Sequence, residues 1–126
     1  MTVTDRLFNT LSVGQQAQVT RTFTAADVLS WQAIAKANGP TQQVPEPLIA
    51  GLFSYLLGVK LPGSGTMYLK QDMTFEMAAQ VDTPLEAVVT IQRLRKDKSL
   101  VNLDTQCTDH LGRLVCHGHA LVMYRL

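Results

Sequence analysis

The chain is short of charge, of cysteine and of aromatic residues. Only 17% of its 126 residues are charged, and 11 Lys and Arg against 10 Asp and Glu leave a formal net charge of +1. That balance gives no field suited to nucleic acid or to an anionic membrane surface. The 2 cysteines, Cys107 and Cys116, have no metal-type spacing. They read as reduced, buried thiols of a cytoplasmic protein. No apolar run reaches the ~18 residues that a membrane span needs. The N-terminal MTVTDRLFNTL lacks the charged region and apolar core of a signal peptide. What the chain does have is ordinary hydrophobicity, 46% of residues, enough for a packed core. The length suits one domain over residues 1–126.

Residues 1–14 read as a lead-in segment closed by Gly14, followed by a short strand over Ala17–Phe23. Thr24 stands as an N-cap with Asp27 as its acidic capping-box partner. Val28, Trp31, Ile34 and Ala35 recur at helical spacing and carry the first helix to about Ala37. Asn38-Gly39-Pro40 is expected to stop it, with Gly39 supplying the left-handed cap. A second helix begins near Glu46-Pro47, where Pro suits a first turn and a carboxylate suits the dipole. Leu48, Ile49, Leu52, Phe53, Leu56 and Leu57 cover most of its circumference, so it is expected to be buried. Gly51, Ser54 and Gly58 offer small positions where a sheet backbone could approach.

Leu61-Pro62-Gly63-Ser64-Gly65 makes a turn, and strand patterns follow. Thr66–Met77 is the first. Leu85, Ala87, Val89 and Ile91 then alternate with more polar neighbours. So do Val101, Leu103, Thr105 and Cys107, and so do Cys116, Gly118, Ala120 and Val122. Asp109–Gly112 turns a hairpin between the last two. A Thr108–Arg113 pairing there would set Cys107 opposite Leu114 and Thr105 opposite Cys116. The cysteines would then be diagonal neighbours, poorly placed for a disulfide. The sum is an α+β architecture: a strand, a helix, a buried helix and an antiparallel meander.

Particular residues narrow this. Leu56-Leu57-Gly58 and the run LPGSGTMYLKQDMTF (61–75) closely resemble the centre of the MaoC-like (R)-specific enoyl-CoA hydratases, whose pattern is LPGxGxxYLxQxxxF. VGQQAQVTRTFTAADVLSW (13–31) is similar to the family's opening. TDHLGRLVCHGHALVM (108–123) is similar to its last hairpin. The resemblance implies a hotdog fold, an antiparallel sheet wrapped around a central buried helix, and a homodimer. It also implies an acyl thioester, on CoA or an acyl carrier, as ligand or substrate, with no other cofactor, and a place in fatty acid metabolism as a lyase.

In such hydratases an Asp and a His move the protons of a water adding to an enoyl thioester, and a helix N-terminal amide polarises the carbonyl. Matching on Pro40 puts Ala37 at the Asp position and Gln42 at the His position. Matching back from Leu61-Pro62-Gly63 puts Pro45-Glu46 where the family has His-Gly. The loop before the helix is also shorter than in the resembled pattern. Ser54 matches a helix serine that orients the Asp in the family. The scaffold half of the pattern is therefore present and the acid/base half is not.

The remaining candidates are Glu46 and Ser54 as catalytic groups, and Asn38, Gln42, Glu46 and Ser54 as substrate-binding groups. Each also has a plain structural reading: Glu46 as a dipole-complementing residue, Ser54 as a small packing residue, Asn38 and Gln42 as loop residues. His117 and His119 share a strand face without a third ligand, so no metal site is expected. Arg93, Arg95, Lys96 and Lys98 form a basic hairpin, solvated or in contact with CoA phosphates. Tyr68 and Gln71 read as sheet residues.

Three functions from different classes follow. One is an enzyme, either hydratase-like or a thioesterase using Glu46. Another is a module that binds acyl-CoA without turnover. The third is a subunit forming a heterodimer with an intact hydratase-like chain. A tunnel filled by Phe53, Met67 or Met73 would favour the third.

Overall fold

The computed structural model describes residues 2–125. In chain order the elements are α1 (Val3–Phe8), β1 (Gln16–Thr22), α2 (Ala25–Ala35), β2 (Gln43–Val44) and α3 (Glu46–Tyr55). A widened π-type turn over Leu56–Lys60 prolongs α3. Then come β3 (Thr66–Phe75), β4 (Ala79–Gln80), β5 (Pro84–Arg95), β6 (Leu100–Thr108) and β7 (Leu114–Tyr124). The 5-stranded sheet has the order β1-β5-β6-β7-β3, and β2 pairs with β4 in a separate 2-stranded ribbon. All the ladders are antiparallel.

Alternation along the strands makes one sheet face the core. Leu85, Ala87, Val89 and Ile91 of β5 are buried, as are Val101, Leu103 and Cys107 of β6 and Cys116, Ala120 and Val122 of β7. Against that face lie Ile49, Leu52, Phe53, Leu56 and Leu57 of α3 and its π-type extension. Each fully buried side chain of this size contributes about 1.5–3 kcal/mol. The helix is not buried all round, however. Gly51, Ser54, Tyr55, Gly58 and Val59 form an exposed face. Gly51 and Gly58 meet nothing within 4 Å of an added Cβ, so neither makes room for the sheet.

The close approach is made elsewhere. A Cβ on Gly118 of β7 would lie 2.0 Å from the Asp72 carbonyl oxygen of β3. Both are backbone-fixed, so glycine is required where β3 crosses β7.

Thr24 caps α2 as its sequence predicts. The Thr24 N–H donates to Asp27 Oδ2 at 2.8 Å, and the Asp27 N–H donates to Thr24 Oγ1 at 3.1 Å. The helix stops earlier than expected, because Lys36, not Gly39, takes the left-handed cap with φ 53°. Val28 is buried, but Ile34 is 85% exposed. Only the first half of α2 reaches the core, so the apolar stripe outruns its partner.

The lead-in segment also holds a helix that its apolar spacing does not announce. Thr2 and Asp5 form the same capping box there, with Asp5 N–H to Thr2 Oγ1 at 3.0 Å. Phe8 of α1 then packs on Tyr124, with ring centroids 5.9 Å apart.

The last hairpin corrects one expected register. Thr108 pairs with Leu114, and Cys107 faces Cys116 directly. Val115 is the extra residue of a bulge at this point. Its origin is the Asp109 carboxylate, which accepts from the Leu111 and Arg113 N–H groups at 3.0 and 2.9 Å and from Arg113 Nε at 2.8 Å. That tight turn shifts the ladder by one residue. The two thiols are free and buried. Their mutual hydrogen bond, reinforced by burial, pushes the Cys107 thiol up, so it stays protonated at neutral pH.

Two expectations follow. Gly118→Ala should cost about 3 kcal/mol by overpacking against fixed backbone. Gly51→Ala, at a roomy helical site, should instead stabilise by about 0.5–1 kcal/mol. Chemical denaturation of the pair checks the contrast, and equal effects would contradict the described β3–β7 approach. Thr24→Ala should cost about 1 kcal/mol. The Thr24 backbone and side-chain hydrogen bonds hold the Asp27 carboxyl below its ordinary range. Its contribution is therefore complete above about pH 4 and fades as pH falls through the lowered folded value. Asp27→Asn keeps the shape and removes the titration, so stability curves of wild type and Asp27→Asn should converge in acid.

Candidate functional site

The start of α3 opens onto a cleft of about 520 Å³. Three segments build it. Trp31 and Gln32 come from the second half of α2, which the Thr24–Asp27 cap anchors. Asn38, Gly39 and Pro40 come from the loop that follows, and Gln32 Nε2 donates to the Gly39 carbonyl at 3.2 Å to tie the loop back to α2. The β2–β4 ribbon then fixes the approach to α3 through Gln43–Gln80 and Val44–Ala79 pairs. Gln43 and Glu46 add polar groups to the wall, and Val44, Ile49, Phe75 and Met77 supply apolar surface.

Glu46 is the first residue of α3, where the helix dipole favours a carboxylate. Among the described residues lining the cleft it is the only ionisable one. The cleft therefore offers one group able to hold or move a proton, flanked by amides able to orient a ligand.

The structure brings together only part of the residue set read from the sequence. Asn38 and Glu46 line the cleft. Ala37, at the Asp position of the resembled pattern, is half-buried outside its lining, and Gln42 is exposed and likewise outside it. The Gln42 carbonyl accepts from Val81 N–H at 3.0 Å instead. Ser54 follows Glu46 by 54 − 46 = 8 residues on α3, roughly 12 Å along the axis. It lies on the exposed face. The Tyr68 hydroxyl donates to Gln71 Oε1, and burial pushes its phenol up, with Ser54 opposing that in part.

Of the side chains large enough to fill a tunnel, Phe53 is wholly in the core and Met67 is 59% exposed. Neither they nor Met73 line the cleft. Trp31, Gln32, Gln43, Phe75 and Met77 were not legible as site residues. Trp31 looks like any stripe residue, and only the position of α2 turns it towards the cleft.

The other singled-out residues sit apart. His117 Nε2 lies 2.8 Å from Glu76 Oε1. His119 stands between Asp72 and Asp104, at 3.6 and 3.7 Å. Among the described residues no three His, Cys, Asp or Glu side chains converge as a metal site would need. The basic turn at Lys96–Lys98 meets α1 instead, with Lys96 Nζ 3.5 Å from Asp5 Oδ1.

No family model matches the chain. Individual relatives do. An (R)-specific enoyl-CoA hydratase of Aeromonas caviae is 33% identical, over 89% of this chain and 94% of that protein. A solved (R)-hydratase from A. caviae involved in PHA biosynthesis superposes with a TM-score of 0.87 at 32% identity, covering 91% of this chain and 98% of that one. A hot-dog-like protein from Thermanaerovibrio acidaminovorans, 12% identical, superposes with a TM-score of 0.73 over 93% of this chain and 85% of its own. That likeness speaks to the fold alone. With a relative 33% identical over nearly its whole length, the chain belongs to the (R)-specific enoyl-CoA hydratase family, built on the MaoC-like hotdog fold.

Proposed function

We propose that the chain binds an acyl thioester, on CoA or an acyl carrier, in the cleft at the start of α3, and that it does not hydrate enoyl thioesters efficiently. The observation that carries this reading is the cleft lining, in which Glu46 stands without a second proton-transferring group. Hydration requires the water to lose a proton and the α-carbon to gain one. One carboxylate can serve either role, while Asn38 and Gln43 can only hydrogen-bond. The apolar surface from Val44, Ile49, Phe75 and Met77 suits an acyl chain.

A second reading, thioester hydrolysis with Glu46 as general base, is favoured by the place of that carboxylate in the cleft lining. Ser54, on the exposed face of α3 outside that lining, would then act through the position of α3 and not on the substrate. In a third reading the chain completes a dimer with an intact hydratase-like partner. The open α3 face and the sheet edge at β3, where Met67 and Leu69 are 59% and 46% exposed, support association. Unpaired edges of this kind are normally covered. The homodimer is the arrangement we favour.

Hydration of crotonyl-CoA should be slower than in a family enzyme with its acid/base pair by at least the ~10²–10⁴-fold that general acid/base catalysis supplies. Turnover at the rate of such an enzyme would refute the reading. A panel of short and medium acyl-CoA substrates should show hydrolysis that Glu46→Gln abolishes, or none at all with acyl-CoA still raising the melting temperature. An active wild type matched by Glu46→Gln removes Glu46 from catalysis. Ser54→Ala should change that activity much less than Glu46→Gln. Sedimentation at micromolar concentration should give a dimer, and a clean monomer would count against the proposed assembly.

A further inference from the structure

The electrostatics of the cleft go further than the loss of a proton-transfer pair. Among the described residues lining it there is no Lys, Arg or His, and its single charge is the Glu46 carboxylate. The partial positive charge of a helix N-terminus is about half a unit, so it offsets that carboxylate only in part. The site stays net negative where a thioester reaction would build an enolate-like oxygen. The rest of the lining favours positive charge as well. Trp31 brings an indole, the best aromatic partner for a cation, into the lining. Asn38 and Gln43 carry amide oxygens that can accept from an N–H donor. Val44, Ile49, Phe75 and Met77 give an aliphatic arm its surface.

We propose that this cleft takes a protonated amine on a short aliphatic arm, with the ammonium at Glu46 and Trp31 and the arm on the apolar wall. Where the arm is the acyl group of a thioester, this rests on the function proposed above and specifies its substrate class as amine-bearing acyl thioesters. Amine selectivity itself needs no thioester and is measured without one.

Trp31 is the only tryptophan in the chain, so intrinsic fluorescence reports on this cleft. The purified protein is titrated at neutral pH and fixed ionic strength with hexylamine, hexan-1-ol and hexanoate. Hexylamine should bind tightest and hexanoate weakest, with amine preferred over alcohol by about tenfold, as an ion pair and a cation–π contact of ordinary strength would give. In Glu46→Gln, checked for an unchanged melting temperature, the preference should fall to about twofold, as expected if only the aromatic contact remains, while affinity for the alcohol holds. Calorimetric titration of Trp31→Phe should show an intermediate preference. Hexanoate binding as well as hexylamine, an undiminished preference in Glu46→Gln, or no binding of any of the three overturns the proposal. A parallel melting series with hexanoyl-CoA and 6-aminohexanoyl-CoA separates the two readings. Stabilisation by hexanoyl-CoA without amine preference overturns this inference and spares the thioester function. Glu46-dependent amine preference without stabilisation by either thioester supports this inference and overturns the thioester function.

Discussion

Everything in this molecule depends on the contact between the buried stripe of α3 and the core face of the sheet. Ile49, Leu52, Phe53, Leu56 and Leu57 meet aliphatic rows from β5, β6 and β7. Non-directional burial of this kind fixes how deep the helix sits. The start of α3 must then emerge at one margin of the curl, and the chain feeding it must cross there. The β2–β4 ribbon and the 38–40 loop are that crossing, and the cleft is the space they leave beneath α2. The site is thus a by-product of how the central helix is entered, while the residues around that opening decide its chemistry.

Much of the fold was legible because its signals are local. The Thr24–Asp27 capping box and the Pro at the start of α3 depend on neighbours a few residues away. The strands followed from period-two alternation, whose inward rows are the buried ones. The errors share a physical cause as well. Gly51 and Gly58 looked like the positions of close approach, yet it is Gly118 that makes one, to the Asp72 carbonyl of β3, a partner 46 positions earlier by 118 − 72. The cysteine register was missed because a carboxylate in the turn, Asp109, pulls the hairpin tight and expels Val115 as a bulge. The left-handed cap fell on Lys36 although glycine was available three positions later at Gly39, since the end of the α2 contact, and not intrinsic preference, decided where the helix stopped.

The candidate site was legible in the residues that stand at element boundaries. Asn38 follows the end of α2 and Glu46 opens α3, and both line the cleft. Trp31, Gln32 and Met77 were not legible as site residues, because mid-helix and post-strand positions acquire a site only through the assembly of distant segments. Ser54 matched a sequence pattern whose other half is missing. It lies on the exposed side of α3, outside the cleft lining.

The path of the chain into α3 has a consequence for any attempt to build an acid/base pair at this cleft. Gln43 lines the cleft, whereas Gln42, which precedes β2, is exposed outside that lining. Writing Asp at residue 37 and His at residue 42 would restore the residue types of the hydratase pattern without their convergence. An imidazole at residue 42 would start outside the lining, on a residue whose carbonyl is already tied to the Val81 N–H. Bringing an acid/base pair together here would take a different path of residues 37–42 as well as different side chains, which point substitution alone does not supply.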